Sequence, residues 1–141
     1  MYLATETDAV FRRLKESATL ENAIVIKAYP YTAKPPRLQK PVISVSPDGL
    51  TARCCSLGQR RLTGSYGIHI RLTVPHNLGT PVADSTLEAV LAALDGSGFN
   101  DIEVSGIRST DAQDCFTADC KVYYRSQLGF TEGKLWTQQQ T

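Results

Sequence analysis

The stretch Tyr66-Gly67-Ile68-His69-Ile70-Arg71-Leu72-Thr73-Val74-Pro75 places Tyr, Ile, Ile, Leu and Val at alternate positions, with Gly, His, Arg and Thr between them. Successive side chains of a strand point to opposite faces of its sheet. The pattern therefore predicts a strand with one face in a core and the other toward solvent or a neighbour. Pro75 cannot donate to the ladder and stops it. A second long alternation sets Phe116, Ala118, Cys120, Val122 and Tyr124 against Thr117, Asp119, Lys121, Tyr123 and Arg125. It predicts a closing strand with the same division of faces.

Two amphipathic segments can cover the apolar face. Near the start, Val10, Phe11, Leu14 and Ala18 share one helical face, and Arg12, Arg13, Lys15 and Glu16 lie on others. Thr5, followed by Asp8, or Thr7 is the expected cap. Farther on, Leu87, Val90, Leu91 and Leu94 follow helical spacing. Ser85 with Glu88 reads as a capping box that opens this second helix, and Gly96 reads as its stop.

Ala23-Ile24-Val25-Ile26-Lys27-Ala28-Tyr29 is rich in β-branched residues and predicts a well-buried strand. Pro41-Val42-Ile43-Ser44-Val45 predicts another, ending at the turn signal Ser46-Pro47-Asp48-Gly49. From 50 to 64 the periodicity dissolves, which suits a long loop or a ragged hairpin. Ile102 and Val104, with Ile107 beyond them, mark a further short strand.

The expected order is α-β-β-β-α-β-β. Several connections between strands are too short for a crossover helix. This implies an α+β fold with a largely antiparallel, mixed sheet of about five strands and both helices on one face. Residues 1–130 should form the single domain. Residues 131–141 read as a polar tail, mobile unless Leu135 and Trp136 dock.

The chain has 141 residues, 42% of them hydrophobic and 21% charged, which is material enough for one core without a staple. A formal charge of +1 gives no general attraction to nucleic acid or anionic lipid. The acidic start Met1-Tyr2-Leu3-Ala4-Thr5-Glu6-Thr7-Asp8 is unlike a secretory leader, and no apolar run approaches the ~20 residues that span a bilayer. A cytoplasmic protein without membrane partners is expected.

In that compartment thiols stay reduced, so Cys54, Cys55, Cys115 and Cys120 are expected as inert thiols rather than disulfides. None is spaced as a zinc knuckle. A catalytic reading would pair Cys54 or Cys55 with His69 or His76, but no nucleophile motif accompanies them, and both histidines read as surface residues. The acids lack calcium-loop spacing, and Gly96, Gly98 and Gly106 do not form a dinucleotide turn. No metal, cofactor or catalytic residue is assigned.

Arg37, Lys40, Arg53, Arg60 and Arg61 gather in the irregular segments, where guanidinium forks can pair with a partner's carboxylates or simply be solvated. Arg71, Tyr123 and Arg125 lie on the outward rows of the two long strands beside Asp119, and Trp136 lies in the tail. Tyr, Trp and Arg are favoured at protein interfaces, so these nine residues are the candidate partner-binding set.

The N-terminal helix, the loop from Gly49 to Gly64, the strand Gly67-Ile68-His69-Ile70-Arg71-Leu72-Thr73-Val74-Pro75, the helix from Ser85, and the pair around Ile102-Glu103-Val104 and Lys121-Val122-Tyr123-Tyr124-Arg125 together resemble the tail terminator, or tail completion, neck proteins of tailed phages and phage-tail-like particles. The resemblance covers residues 5–128 and is one of element order and texture, without an invariant motif. It implies a structural, non-enzymatic subunit of virion assembly. Such a subunit would form a homohexameric ring that caps the tail tube and, in a contractile tail, meets the sheath or the head-tail connector. It also implies docking through the Arg-bearing loop and the tail, and assembly in the cytoplasm into a virion or headless particle. A small-molecule-binding or regulatory α+β domain is the alternative, with a cysteine-dependent enzyme behind it.

Overall fold

The computed structural model describes residues 2–27, 40–54, 61–110, 114–131 and 134–139. Helix α1 spans Tyr2–Lys15, β1 Ile24–Lys27, β2 Val42–Cys54, β3 Arg61–Pro75, α2 Thr80–Leu94, β4 Asp101–Val104, β5 Arg108–Thr110, β6 Cys115–Thr131 and β7 Lys134–Gln139. Short 3₁₀ turns at Ala18–Leu20 and His76–Leu78 follow α1 and β3. The fold is α+β, with one mixed sheet of seven strands among the described residues.

Its central order is β1-β2-β3-β6-β4, and β5 and β7 add to other parts of β6. Only β1 with β2 is parallel; the other pairs are antiparallel. β6 forms the spine because it is long enough to pair with β3 along one edge and with β5, β4 and β7 in turn along the other.

The alternation in the two long strands sorts the faces as expected. Tyr66, Ile68, Ile70, Leu72 and Val74 are buried together with Ala118, Cys120, Val122 and Tyr124. α1 packs on β1 and β2, and α2 on β3 and β6, so Val10, Leu14, Ala83, Val90 and Leu94 complete one core on one side of the sheet. Each fully buried large aliphatic side chain contributes roughly 1.5–3 kcal/mol. The Tyr66 and Tyr124 rings stack at 5.1 Å, and the Tyr124 hydroxyl donates to Ser97 Oγ at 3.2 Å.

The helix starts differ from the expected caps. α1 begins at Tyr2, which places Thr5 and Thr7 inside it, and Thr7 is buried. α2 begins after Gly79 with Pro81 in its first turn, where a missing N–H costs nothing and φ is already set. Ser85 is consequently interior, and its hydroxyl donates to the Val82 carbonyl at 3.1 Å instead of capping. The expected stop holds: Gly96 takes φ +81°, and the Arg13 guanidinium donates to the Ala93 and Asp95 carbonyls at 2.8 and 2.6 Å. A cation there also suits the negative end of the helix dipole.

Three strand expectations are corrected. Ile24–Lys27 is an edge strand and not a well-buried one, with Ile24 45% exposed, because it gains only β2 as a neighbour. Ser46-Pro47-Asp48-Gly49 is not a turn: the register shifts between Pro47 and Gly49 while pairing with β3 continues, and Gly49 at φ +139° absorbs the irregularity. Of the two readings of the patternless segment, the hairpin holds, since β2 and β3 stay paired out to Cys54 opposite Leu62; residues 55–60 lie outside the described residues. Nor is the C-terminal segment simply a tail, because Lys134–Gln139 pairs with Ser126 to Thr131 as β7.

Candidate interaction face of the sheet

Both helices cover the same side of the sheet, which leaves the face of His69, Arg71, Asp119, Lys121 and Tyr123 without a helix. These residues alternate with the buried row and are cross-strand neighbours, His69 opposite Lys121 and Arg71 opposite Asp119. The edge strand opens for three residues, Ser105, Gly106 and Ile107, between β4 and β5, beside Asp119. There the Asp119 N–H donates to Ser105 Oγ at 2.8 Å, and the Ser105 N–H donates to the Asp119 carbonyl at 2.8 Å.

The Asp119 carboxylate is the hub of the face. His69 Nε2 lies 2.7 Å and Arg71 Nε 2.9 Å from Oδ1, while Arg71 Nη2 at 3.3 Å and Arg108 Nη2 at 2.7 Å reach Oδ2. The Asp119 side chain is 14% and that of Arg108 61% exposed, so the hub grades from half-buried to open. Burial pushes the Asp119 carboxyl up, but the hydrogen bonds and charges of Arg71 and His69 outweigh it and hold the group below the usual carboxylate range. Around the hub, Lys121 Nζ stands 3.8 Å from Asp48 Oδ2, and the Tyr123 hydroxyl donates to Glu103 at 3.3 Å. Desolvation, together with the Glu103 and Asp48 carboxylates, raises the Tyr123 phenol.

His69, read from the sequence as a surface residue, is only 8% exposed, with its Nε2 held 2.7 Å from the Asp119 carboxylate. Ser46 sits opposite it, also buried at 2%, and its hydroxyl has no hydrogen-bond partner. The order Ser46, His69, Asp119 across three strands superficially follows a nucleophile, base and acid. It is no relay, because the hydroxyl makes no bond to the imidazole and Arg71 shares the same carboxylate oxygen. His76 instead meets Ser109 Oγ at 3.0 Å and packs edge-on to Phe116. Cys115 and Cys120 are both buried, and burial pushes the Cys120 thiol up to about 11. Among the described residues no cluster of His, Cys, Asp or Glu is placed to hold a metal ion.

Of the nine candidate residues, Arg37 and Arg60 lie outside the described residues. Lys40 is exposed and lines a cleft of about 420 Å³ together with Leu20, Pro41, Leu78, Val82 and Thr86 among others. The other six share one face. Arg71 and Tyr123 flank the hub, and Arg125 is the register partner of Ser65, two positions before Gly67 on β3. Arg53 pairs with Thr63, Arg61 with Gly129, and Gly129 in turn with Trp136, all on the same alternate row. Sequence reasoning missed His69, Arg108 and Ser105 as members of this face. Asp119 at alternation distance from a strand Arg was the available signal for the hub. The approach of Arg108 depends on the opening between β4 and β5, which has no sequence signature.

Among the described residues no helix is long and apolar enough to cross a membrane. No family model and no curated protein matches the chain.

Proposed function

We propose that this chain is a structural assembly subunit of the tail terminator or neck type, forming a ring on a phage tail tube or a phage-tail-like particle and using the helix-free sheet face for protein contacts. The observation that carries the reading is the convergence of Arg53, Arg61, Arg71, Tyr123, Arg125 and Trp136 on that one face. Its charged groups near the hub pair with one another along the sheet rather than converging on a cavity. Arg71 and Tyr123, held by Asp119 and Glu103, suit recognition of another polypeptide, because little of their rotamer freedom is left to lose on docking.

Light scattering and negative-stain electron microscopy of the purified chain at high concentration test this, with a closed ring of about six copies expected. A strict monomer that binds no tail-tube protein would overturn it. The cleft beside Lys40 favours a second reading, a small-molecule-binding domain, since apolar Leu20, Leu78 and Val82 line it together with the hydroxyl and amide side chains of Thr19, Asn22 and Thr86. A thermal-shift screen with metabolites separates the two: a ligand that raises Tm without changing the oligomer supports the second.

A further inference from the structure

Charge is segregated along this chain although its total is nearly zero. From 77 to 107 there are five carboxylates, Asp84, Glu88, Asp95, Asp101 and Glu103, and no Lys or Arg; all five are exposed. The distal part of the sheet is the reverse. There β2, β3, β6 and β7 run on as an arm beyond Tyr66 and Tyr124, and its described positions include Arg53, Arg61, Arg125 and Lys134 with no acid. Cross-strand partners share a face, and alternate residues along a strand return to it. Arg53 opposite Thr63, Arg61 opposite Gly129, Arg125 opposite Ser65 and Lys134 opposite Thr131 therefore all fall on one row system, the helix-free face. The two termini of β3 separate the regions. β3 runs from Arg61 in the arm to Pro75 at the far end, and α2 starts from that far end on the core side of the sheet, so Asp84 and Glu88 in its second and third turns stand away from the arm and on the opposite side of the sheet. Four residues apart on a helix, these two present their carboxylates together.

From this segregation we infer that the basic face of the β2-β3-β6-β7 arm docks on the acidic Asp84–Glu88 surface of α2 in a second copy of the chain. Two different, oppositely charged surfaces at opposite ends of one subunit make a head-to-tail contact, which closes into a ring or runs on as a filament. The same face in one chain cannot satisfy both, since the sheet separates them. Complementary charge also speeds encounter and fixes which surface meets which, while like surfaces repel. The inference rests on the assembly reading above and names the surfaces that reading leaves open.

A charge-swap experiment tests it on the full chain. One variant carries Arg53→Glu, Arg61→Glu and Arg125→Glu, and the other carries Asp84→Lys and Glu88→Lys; circular dichroism verifies that each is folded. Each alone is expected to associate at least about tenfold more weakly than the parent, and an equimolar mixture should recover assembly because each supplies the surface the other lacks. Parent assembly should also weaken as salt rises from about 0.1 M to about 1 M and the Debye length falls from about 10 Å to about 3 Å. A parent that assembles while both variants assemble equally well overturns these surfaces and leaves the assembly reading standing. A parent that is monomeric at every concentration overturns both. Arm-dependent binding of a short DNA duplex by a chain whose self-association ignores the swap assigns the basic face to a polyanion and overturns the inference.

Discussion

At Asp119 one carboxylate receives an imidazole and two guanidiniums, and the effect of removing it follows from what stays behind. His69 and Arg71 would be left half-buried without their acceptor, which costs more than the bonds themselves contribute. Asp119→Ala is expected to destabilise the fold by about 2–3 kcal/mol, read from the guanidinium denaturation midpoint. The pH dependence has a definite sign. The folded carboxyl sits below its unfolded value, so its stabilising effect is complete above the ordinary carboxylate range near pH ~4 and is lost as pH falls through the lower folded value. The stability difference between parent and Asp119→Asn should therefore shrink as the solution is acidified below about pH 4. A difference that grows as pH falls below about 4 would contradict the hub. The alternation placed Asp119 and Arg71 on one face in advance. That His69 is buried there was not legible, because burial of a polar strand face depends on which neighbours lie across it.

The elements show the same division between local and distant causes. The stripe Val10, Phe11, Leu14 and the spacing of Leu87, Val90, Leu91 and Leu94 identify both helices, since 3.6-residue periodicity is a property of adjacent sequence. Their starts were misplaced, because Ser85 and Thr5 are good caps only if the chain outside the helix takes another path. β7 is the clearest case of an element invisible to periodicity. Gln138 and Gln139 look like tail, yet the open edge of β6 supplies the partners that a lone polar strand lacks. Ending the chain after residue 131 should lower Tm by several degrees in a scanning fluorimetry experiment and increase aggregation, because the bared edge of β6 becomes a template for other chains. A truncated protein that melts like the parent would show that β7 is dispensable.

For the whole molecule, the helix-side core and the open sheet face are two separate commitments of the same strands. Cys120 belongs to the first, buried among the even-numbered residues of β3 and β6, with its thiol pushed up to about 11. Alkylation at pH 8 followed by mass spectrometry should find Cys120 protected in the native protein and labelled only when guanidinium unfolds it, with rates that follow global unfolding. Rapid native labelling would place Cys120 outside the core. The arm belongs to the second commitment, since its cations Arg53, Arg61, Arg125 and Lys134 are assembled from four strands of the sheet.

Local sequence by itself determined the α+β class, the two amphipathic helices and the inward and outward rows of the long strands. Each of these follows from side-chain periodicity within a dozen or so neighbouring residues. Tertiary structure alone decided the parallel placement of β1, the bulge at Pro47 to Gly49, the recruitment of β7 and the gathering of His69, Arg71 and Arg108 on Asp119. These depend on which backbone edges and charges meet across long chain separations, and pairing of that kind leaves no period in the sequence.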